Sequence, residues 1–346
     1  MDRMPKIALI VGSGGFEGQE GFAEEWRFYP LTPFGWPSAP IKVGLFNGVR
    51  IALVLRHGEG HTLLPSEVPY QANIYALKML GVDTVVALTT VGSLDRRFKP
   101  GDLAIVRQMV DHTNGRPSTF FGRGIAAHVV MADPVCPHMS DLLYQTAKFC
   151  GLVHIRKAVE TALHDSAVLK VMEGPAFSTG AESQMNYRNP LPNLIGMTAM
   201  PEVKLFREAE MRVVYLAIIT DNDCWCERDV VSAGLVAENS GKVSPIVRKL
   251  LARVLVAFQA KRKWLARRKR RPDRCSCVSA LDGPAIATDL AHISDGVKRR
   301  LHPILKRRLA LGSKEQLPSI SSEEMCLERL AHSRVRPKLA ADMQQQ

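Results

Sequence analysis

Four short clusters carry residue types suited to handling a small anion and moving a proton. Gly12-Ser13-Gly14-Gly15 offers backbone N–H groups and one hydroxyl on a tight loop, and glycine lets such a backbone approach a phosphate closely. It is not a Walker loop, because no Gly-Lys-Ser/Thr follows, and it fits a dinucleotide GxGxxG fingerprint badly. Arg56-His57 adds a planar cation suited to two-pronged phosphate contacts. Thr89-Thr90 adds two hydroxyls. Each has an ordinary alternative: Arg56 as a surface ion-pair member, His57 as a satisfied core histidine, the threonines as strand formers. Singly the ordinary readings win. Jointly the three clusters point to one oxyanion site.

Asp221-Asn222-Asp223 places two carboxylates just past a very apolar run. Such a pair can donate a proton or bind amino groups, because burial beside a like charge raises one pKa. The alternative is an Asx-type turn or a helix cap. Divalent-metal ligation lacks spaced His or carboxylate partners. Cys275-Ser276-Cys277 can form a strained disulfide, bind metal, or remain two thiols; with no second pair at metal spacing, zinc is disfavoured and no metal site is assigned. Cys224-Trp225-Cys226 is a similar pair inside the aspartate loop. Catalysis by either cysteine would need a positioned histidine base.

The elements that must position these clusters are legible as apolar runs. Strands are predicted over Lys6 to Val11, Ile51 to Leu55, Asp83 to Leu88, Leu103 to Val106, Val168 to Met172 and Val213 to Thr220. Helical spacing covers Gln71 to Leu80 (stopped by Gly81), Leu142 to Cys150, Leu205 to Glu210 and Val243 to Gln259. Apolar strand, polar loop and helix recur in that order. This predicts an α/β fold with strands buried on both faces and ligands gathered beyond the strands' carboxyl ends. Tyr29 to Pro40, rich in Pro and aromatics, reads as an ordered loop.

The chain has 346 residues, 46% of them hydrophobic, enough for a large core. No apolar run approaches the roughly 20 residues that cross a bilayer, and the start shows no secretory layout, so an intracellular, cytoplasmic protein is expected. The formal charge of +12 is unevenly spread: residues 261–346 hold 20 Lys and Arg against 9 Asp and Glu, the rest 26 against 25. The basicity therefore belongs to the C-terminal quarter. An anionic substrate would be held by placed groups rather than by a global field. Lys261 to Arg274 reads first as a solvated continuation of the preceding helix. Nuclear entry or weak nucleic-acid binding is the sharper alternative, with only Trp264 as an interleaved aromatic. Three stretches are expected: a catalytic domain over 1–260, a basic extension with the CxC segment over 261–311, and a mobile tail over 312–346.

Taken together the motifs resemble the trimeric methylthioadenosine branch of the purine nucleoside phosphorylase family. The carrying segments are Arg56-His57-Gly58 with His61-Thr62, Tyr70-Gln71-Ala72-Asn73, Thr89 to Leu94 (TTVGSL) and Asp111 to Pro117 (DHTNGRP). They continue with Met131 to Pro137 (MADPVCP), Glu173-Gly174-Pro175, Gly196 to Glu202 (GMTAMPE) and Thr220 to Trp225 (TDNDCW). The resemblance runs from about residue 5 to 260. It implies one nucleoside phosphorylase-like domain with a central mixed sheet flanked by helices. It also implies a homotrimer, no cofactor, and inorganic phosphate as co-substrate in purine and methionine salvage. The implied reaction splits 5′-methylthioadenosine into adenine and 5-methylthioribose 1-phosphate. A 6-oxopurine nucleoside is the alternative substrate, and a non-catalytic nucleoside- or nucleic-acid-binding relative the alternative class. By resemblance phosphate sits among Ser13, Arg56, His57, Thr89, Thr90 and Thr198. Asp221 supplies or shares a proton at the purine and Asp223 holds its 6-amino group. Phe177 lies against the base and Met197 beside the ribose, while Ser178 and Ala233 stand at positions that tune substrate choice. Ala176 and Gly180 occupy places where the family usually carries arginine, and Ser13 replaces a threonine with the hydroxyl kept.

Overall fold

The computed structural model describes residues 4–12, 21–151, 161–226, 231–267 and 275–312. The described residues divide into two units at Leu305/Lys306; apart from the end of the last helix, every feature discussed below lies in the first.

Nine strands make one mixed sheet among the described residues: β1 (Ile7–Val11), β2 (Phe22–Phe28), β3 (Ile41–Phe46), β4 (Val49–Leu55), β5 (Thr84–Ser93), β6 (Leu103–His112), β7 (Leu163–Met172), β8 (Leu194–Gly196) and β9 (Arg212–Asp221). Their order is β2-β3-β4-β1-β5-β8-β7-β6-β9, with β5 also paired to β9. The last five strands therefore close on themselves, and β5 belongs both to this ring and to the open part of the sheet. The helices are α1 (Tyr70–Met79), α2 (Pro137–Phe149), α3 (Gly180–Arg188), α4 (Ala199–Glu208), α5 (Ala233–Arg267), α6 (Asp295–Arg300) and α7 (His302–Gly312).

The mixed α/β sheet flanked by helices agrees with the expectation. β1 and β9 are buried almost throughout, and so is β5, as near-continuous Val/Ile/Leu/Ala runs require when both faces are covered. α2 and α5 lie on one face, where Met139 and Leu143 meet Val247, Leu251, Val254 and Phe258 in the main core with Leu9, Leu53 and Leu216. Removing a buried side chain of Phe258's size costs about 3–5 kcal/mol. α1 ends at Leu80 with Gly81 at φ +77, the left-handed position that glycine fills without strain.

Several elements depart from the sequence reading. β5 runs on to Ser93, because Thr89 to Ser93 stay hydrogen-bonded to β9 and β8. β2 and β3 form an antiparallel pair that was not foreseen; β2 (FAEEWRF) is exposed at most of its positions, so it lacks the apolar run that marks a buried strand. α3 was missed for the same reason, being a polar helix built on a Thr179–Glu182 capping box. The long helix starts ten residues earlier than predicted and carries Pro245 inside it. It continues through Arg267, so the first half of the basic block extends that helix. The remainder of the block and the Gln-rich tail lie outside the described residues.

β4, β1, β5 and β9 are consecutive parallel neighbours. Their carboxyl ends share one edge of the sheet, which brings Gly12, Arg56-His57, Thr89 to Gly92 and Asp221 to one side of the molecule.

Candidate active site

The oxyanion side is built around Arg56, the residue after β4 and only 1% exposed. Its Nε and Nη2 donate to the two carboxylate oxygens of Glu202 at 2.8 and 3.1 Å, and Nη1 donates to the Leu88 carbonyl at 3.0 Å. Three of its five N–H groups are thereby used. The two-pronged face that the sequence reading offered to phosphate is taken by Glu202, and single N–H groups on Nη1 and Nη2 remain for a ligand. Burial alone would lower the guanidinium pKa, but Glu202 more than reverses this and holds it raised. Tyr215 closes the group by donating to Glu202 Oε2 at 2.8 Å. Gly12 passes so near that a Cβ there would stand 2.9 Å from Arg56 Nη1, so a side chain at this turn would push the guanidinium aside.

His57 is buried beside it. Its Nδ1 lies 2.8 Å from the Leu63 carbonyl, an acceptor only, so Nδ1 carries the proton and Nε2 is left as an acceptor. Burial first, then the Arg56 charge, push its pKa down to about 4, which makes the ring neutral at ordinary pH. Thr89 and Thr198 are buried with their hydroxyl oxygens 3.4 Å apart. Thr198 precedes α4 without capping it. Thr90 is half-buried one residue further along β5. Arg56, His57, Thr89, Thr90 and Thr198 are thus assembled at adjoining strand ends. Ser13 lies outside the described residues.

The second side sits at the end of β9. Gly92 is the register partner of Asp221, and a Cβ on Gly92 would fall 2.7 Å from Asp221 Oδ1. Three residues of strand, about 10 Å, separate this point from Thr89. Asp221 Oδ2 accepts from the Thr220 hydroxyl at 2.8 Å and Oδ1 from the Asp223 amide at 2.9 Å. Asp223 adopts φ +51 and is also buried; its Oδ2 accepts from the Ser183 hydroxyl at 2.7 Å. The Asx-type turn expected as an alternative is therefore present, and it serves to fix both carboxylates. Asn239 on α5 donates to the Thr220 carbonyl at 2.8 Å and pins the strand end.

Around this pair the walls are looser. Phe177 is 40% exposed. Ser178 is buried, with its hydroxyl 3.9 Å from Met172 Sδ and its carbonyl accepting from the Cys224 thiol at 3.1 Å. Burial, then Asp223 and Asp221, raise the Cys224 pKa, so it is a protonated thiol rather than a nucleophile. Trp225 donates to the Ser93 carbonyl at 2.7 Å and stacks on Tyr187 at 4.2 Å. Met197 packs against Gly174, where a Cβ would meet its sulfur at 2.5 Å. Ala233 is the exposed first residue of α5.

Sequence reasoning missed the residues that hold the named ones. Buried Arg116 donates through Nη1 to the Met197 and Met200 carbonyls at 2.7 and 2.9 Å and pairs with Glu173 at 3.0 Å. It joins the end of β7 to the start of α4. Glu202, Tyr215 and Ser183 were also missed as partners. Glu202 stands within the GMTAMPE motif, and a carboxylate in an otherwise apolar helix-start segment was the available signal.

This arrangement, a neutral imidazole and a caged guanidinium beside paired hydroxyls with two fixed carboxylates beyond them, defines an enzyme of the phosphorylase superfamily, whose family model matches residues 6–260. The chain is 38% identical over 308 residues to the S-methyl-5'-thioadenosine phosphorylase of Geobacter sulfurreducens, covering 87% of this chain and 99% of that protein. Its fold is similar to a methylthioadenosine phosphorylase from an antarctic soil metagenomic library, with TM-score 0.76, 39% identity and coverage of 88% and 100% of the two chains. It also resembles methylthioadenosine phosphorylase from Schistosoma mansoni in complex with adenine, with TM-score 0.71, 31% identity and coverage of 80% and 99%. The chain belongs to the S-methyl-5'-thioadenosine phosphorylase family within that superfamily.

Proposed function

We propose that the chain cleaves 5′-methylthioadenosine with inorganic phosphate, giving adenine and 5-methylthioribose 1-phosphate. The observation that carries this reading is the buried Asp221–Asp223 turn, fixed by Thr220 and Ser183 one strand away from the Arg56–His57–Thr89 cluster. Asp223 has one carboxylate oxygen that no protein donor engages among the described residues, which suits the N–H of a 6-amino purine. Asp221, held by bonds that include those from the Thr220 hydroxyl and the Asp223 amide, passes or shares a proton as the base departs.

On the other side phosphate meets the remaining N–H groups of Arg56, the hydroxyls of Thr89, Thr90 and Thr198, and the hydroxyl of Ser13. The His57 ring accepts at Nε2, so it favours a phosphate that still carries a proton. Placing the anion under the sugar as oxocarbenium character develops lowers the barrier through position and electrostatics. Phe177 covers the base and Met197 lines the ribose. Ser178 and Ala233 are the positions assigned to substrate choice. No metal or organic cofactor is assigned a part, and a homotrimer working in the cytoplasm for purine and methionine salvage completes the reading. No helix among the described residues is long and apolar enough to cross a membrane.

The test is phosphate-dependent release of adenine from methylthioadenosine, run beside release of hypoxanthine from inosine. Preference for methylthioadenosine is expected. Preference for inosine, or no turnover of either nucleoside at any phosphate concentration, would reject the assignment.

A further inference from the structure

Cys136, at the N-cap of α2, meets Cys275 and Cys277 far from it in sequence. The Cys136 and Cys275 sulfurs are 3.4 Å apart, and all three sulfurs lie within 4.8 Å of one another. None of the three is more than 3% exposed, and each packs within the main apolar core. The sequence reading discounted a metal for want of a second pair; folding supplies a third thiol instead. Cys275 and Cys277 also lie beyond the segment matched by the family model.

We propose that these three cysteines form a binding site for a soft monovalent metal ion, copper(I), held in trigonal all-sulfur coordination. An ion about 2.3 Å from each of three sulfurs sets them about 4 Å apart, a value that the 3.4 Å Cys136–Cys275 separation and the 4.8 Å limit on the others accommodate with small shifts. No other Cys, His, Asp or Glu joins the group among the described residues, and three sulfurs fall short of the four ligands of a structural zinc site. Soft thiolates select copper(I). Three thiolates around a monovalent cation leave two negative charges to be balanced. The N-terminus of α2, whose N-cap side chain makes no capping bond, adds its partial positive charge. On binding, the thiol protons pass to solvent as the three S–Cu bonds form, with no change in oxidation state.

The experiment titrates the reduced full-length chain, without oxygen, with copper(I) buffered by a chromophoric chelator. One tight equivalent per chain is expected, with three sulfur neighbours by X-ray absorption. Cys136→Ser and Cys277→Ser should each weaken it by more than about a hundred-fold, beyond what loss of an outer partner gives, whereas Cys150→Ser should leave it unchanged. Failure to compete with the chelator, two sulfur neighbours instead of three, or equal competition by zinc would overturn the proposal. So would tight binding that survives Cys136→Ser, or a disulfide within the trio that persists under reductant. If the serine variants do not fold, X-ray absorption and zinc competition on the wild-type chain decide.

Discussion

The two halves of the active site are built differently. The oxyanion half stands on Arg56 and His57 just beyond β4 and on Thr89 within β5, locked by the Tyr215–Glu202–Arg56 group. The base half hangs on a turn with positive φ at Asp223 and on a loop where Phe177 is open to solvent. One half is over-determined by the core, and the other is set by a few polar bonds. Changes in the first should therefore act on stability and phosphate together. Changes in the second should act on rate or substrate choice while the fold survives.

The sharpest challenge to this contrast is Asp221→Asn. Loss of a positioned acid–base group should lower kcat by about 10²–10⁴-fold, with the melting temperature nearly kept; near-normal turnover would remove Asp221 from the chemistry. Next is Glu202→Ala, which strands a buried arginine. It should destabilise the protein by about 3–5 kcal/mol, read by urea unfolding. A loss below about 1 kcal/mol would show that the oxyanion half is not locked through this pair. Gly92→Ala joins the halves, because its methyl group would press on Asp221 Oδ1 and Ile195. About 1–3 kcal/mol of overpacking is expected, together with slowed turnover at saturating phosphate; a KM effect for phosphate alone would contradict the position assigned to Asp221.

Smaller effects follow from pH. His57 is held down at about 4, against the 6.5 usual for an imidazole. The unfolded chain then binds the extra proton first, so stability is lost as pH falls from about 6.5 toward 4. Glu208 works the other way. Burial raises it to about 7 even though its carboxylate accepts the Phe120 amide at 2.7 Å. It binds its proton more tightly when folded, so stability is lost as pH rises from about 4.5 to 7. Glu208→Gln should therefore raise the melting temperature at pH 8 relative to wild type and give little gain at pH 4. Equal gains at both would reject charge burial as the cause. The mildest change is Phe177→Ala, expected to raise KM for the nucleoside a few-fold with phosphate KM unchanged, as measured by initial rates.

Legibility in the sequence followed the same division. Arg56, Thr89 and Asp221 could be found because each ends an apolar run, and runs of that kind deliver their next residue to a sheet edge. The resemblance added Thr198, Phe177 and Met197. Pairings across long separations stayed hidden: Glu202 lies 146 residues from Arg56 and Ser183 lies 40 from Asp223. No local pattern marks such partners, because only the packed fold makes a lone charge intolerable. β2 and α3 escaped notice because their exposed faces dilute the periodicity that betrays a buried element.

β5 is tied to β1 and then β8 along one edge and to β9 along the other. A slip by one residue would unzip both partnerships at once, so this strand has no cheap local opening. Its amides from Val85 to Leu88 should be among the last to trade hydrogen for deuterium, at a rate set by global unfolding alone. The threonines proposed to meet phosphate follow immediately in the chain, so the reagent's proposed seat would be as durable as the molecule itself.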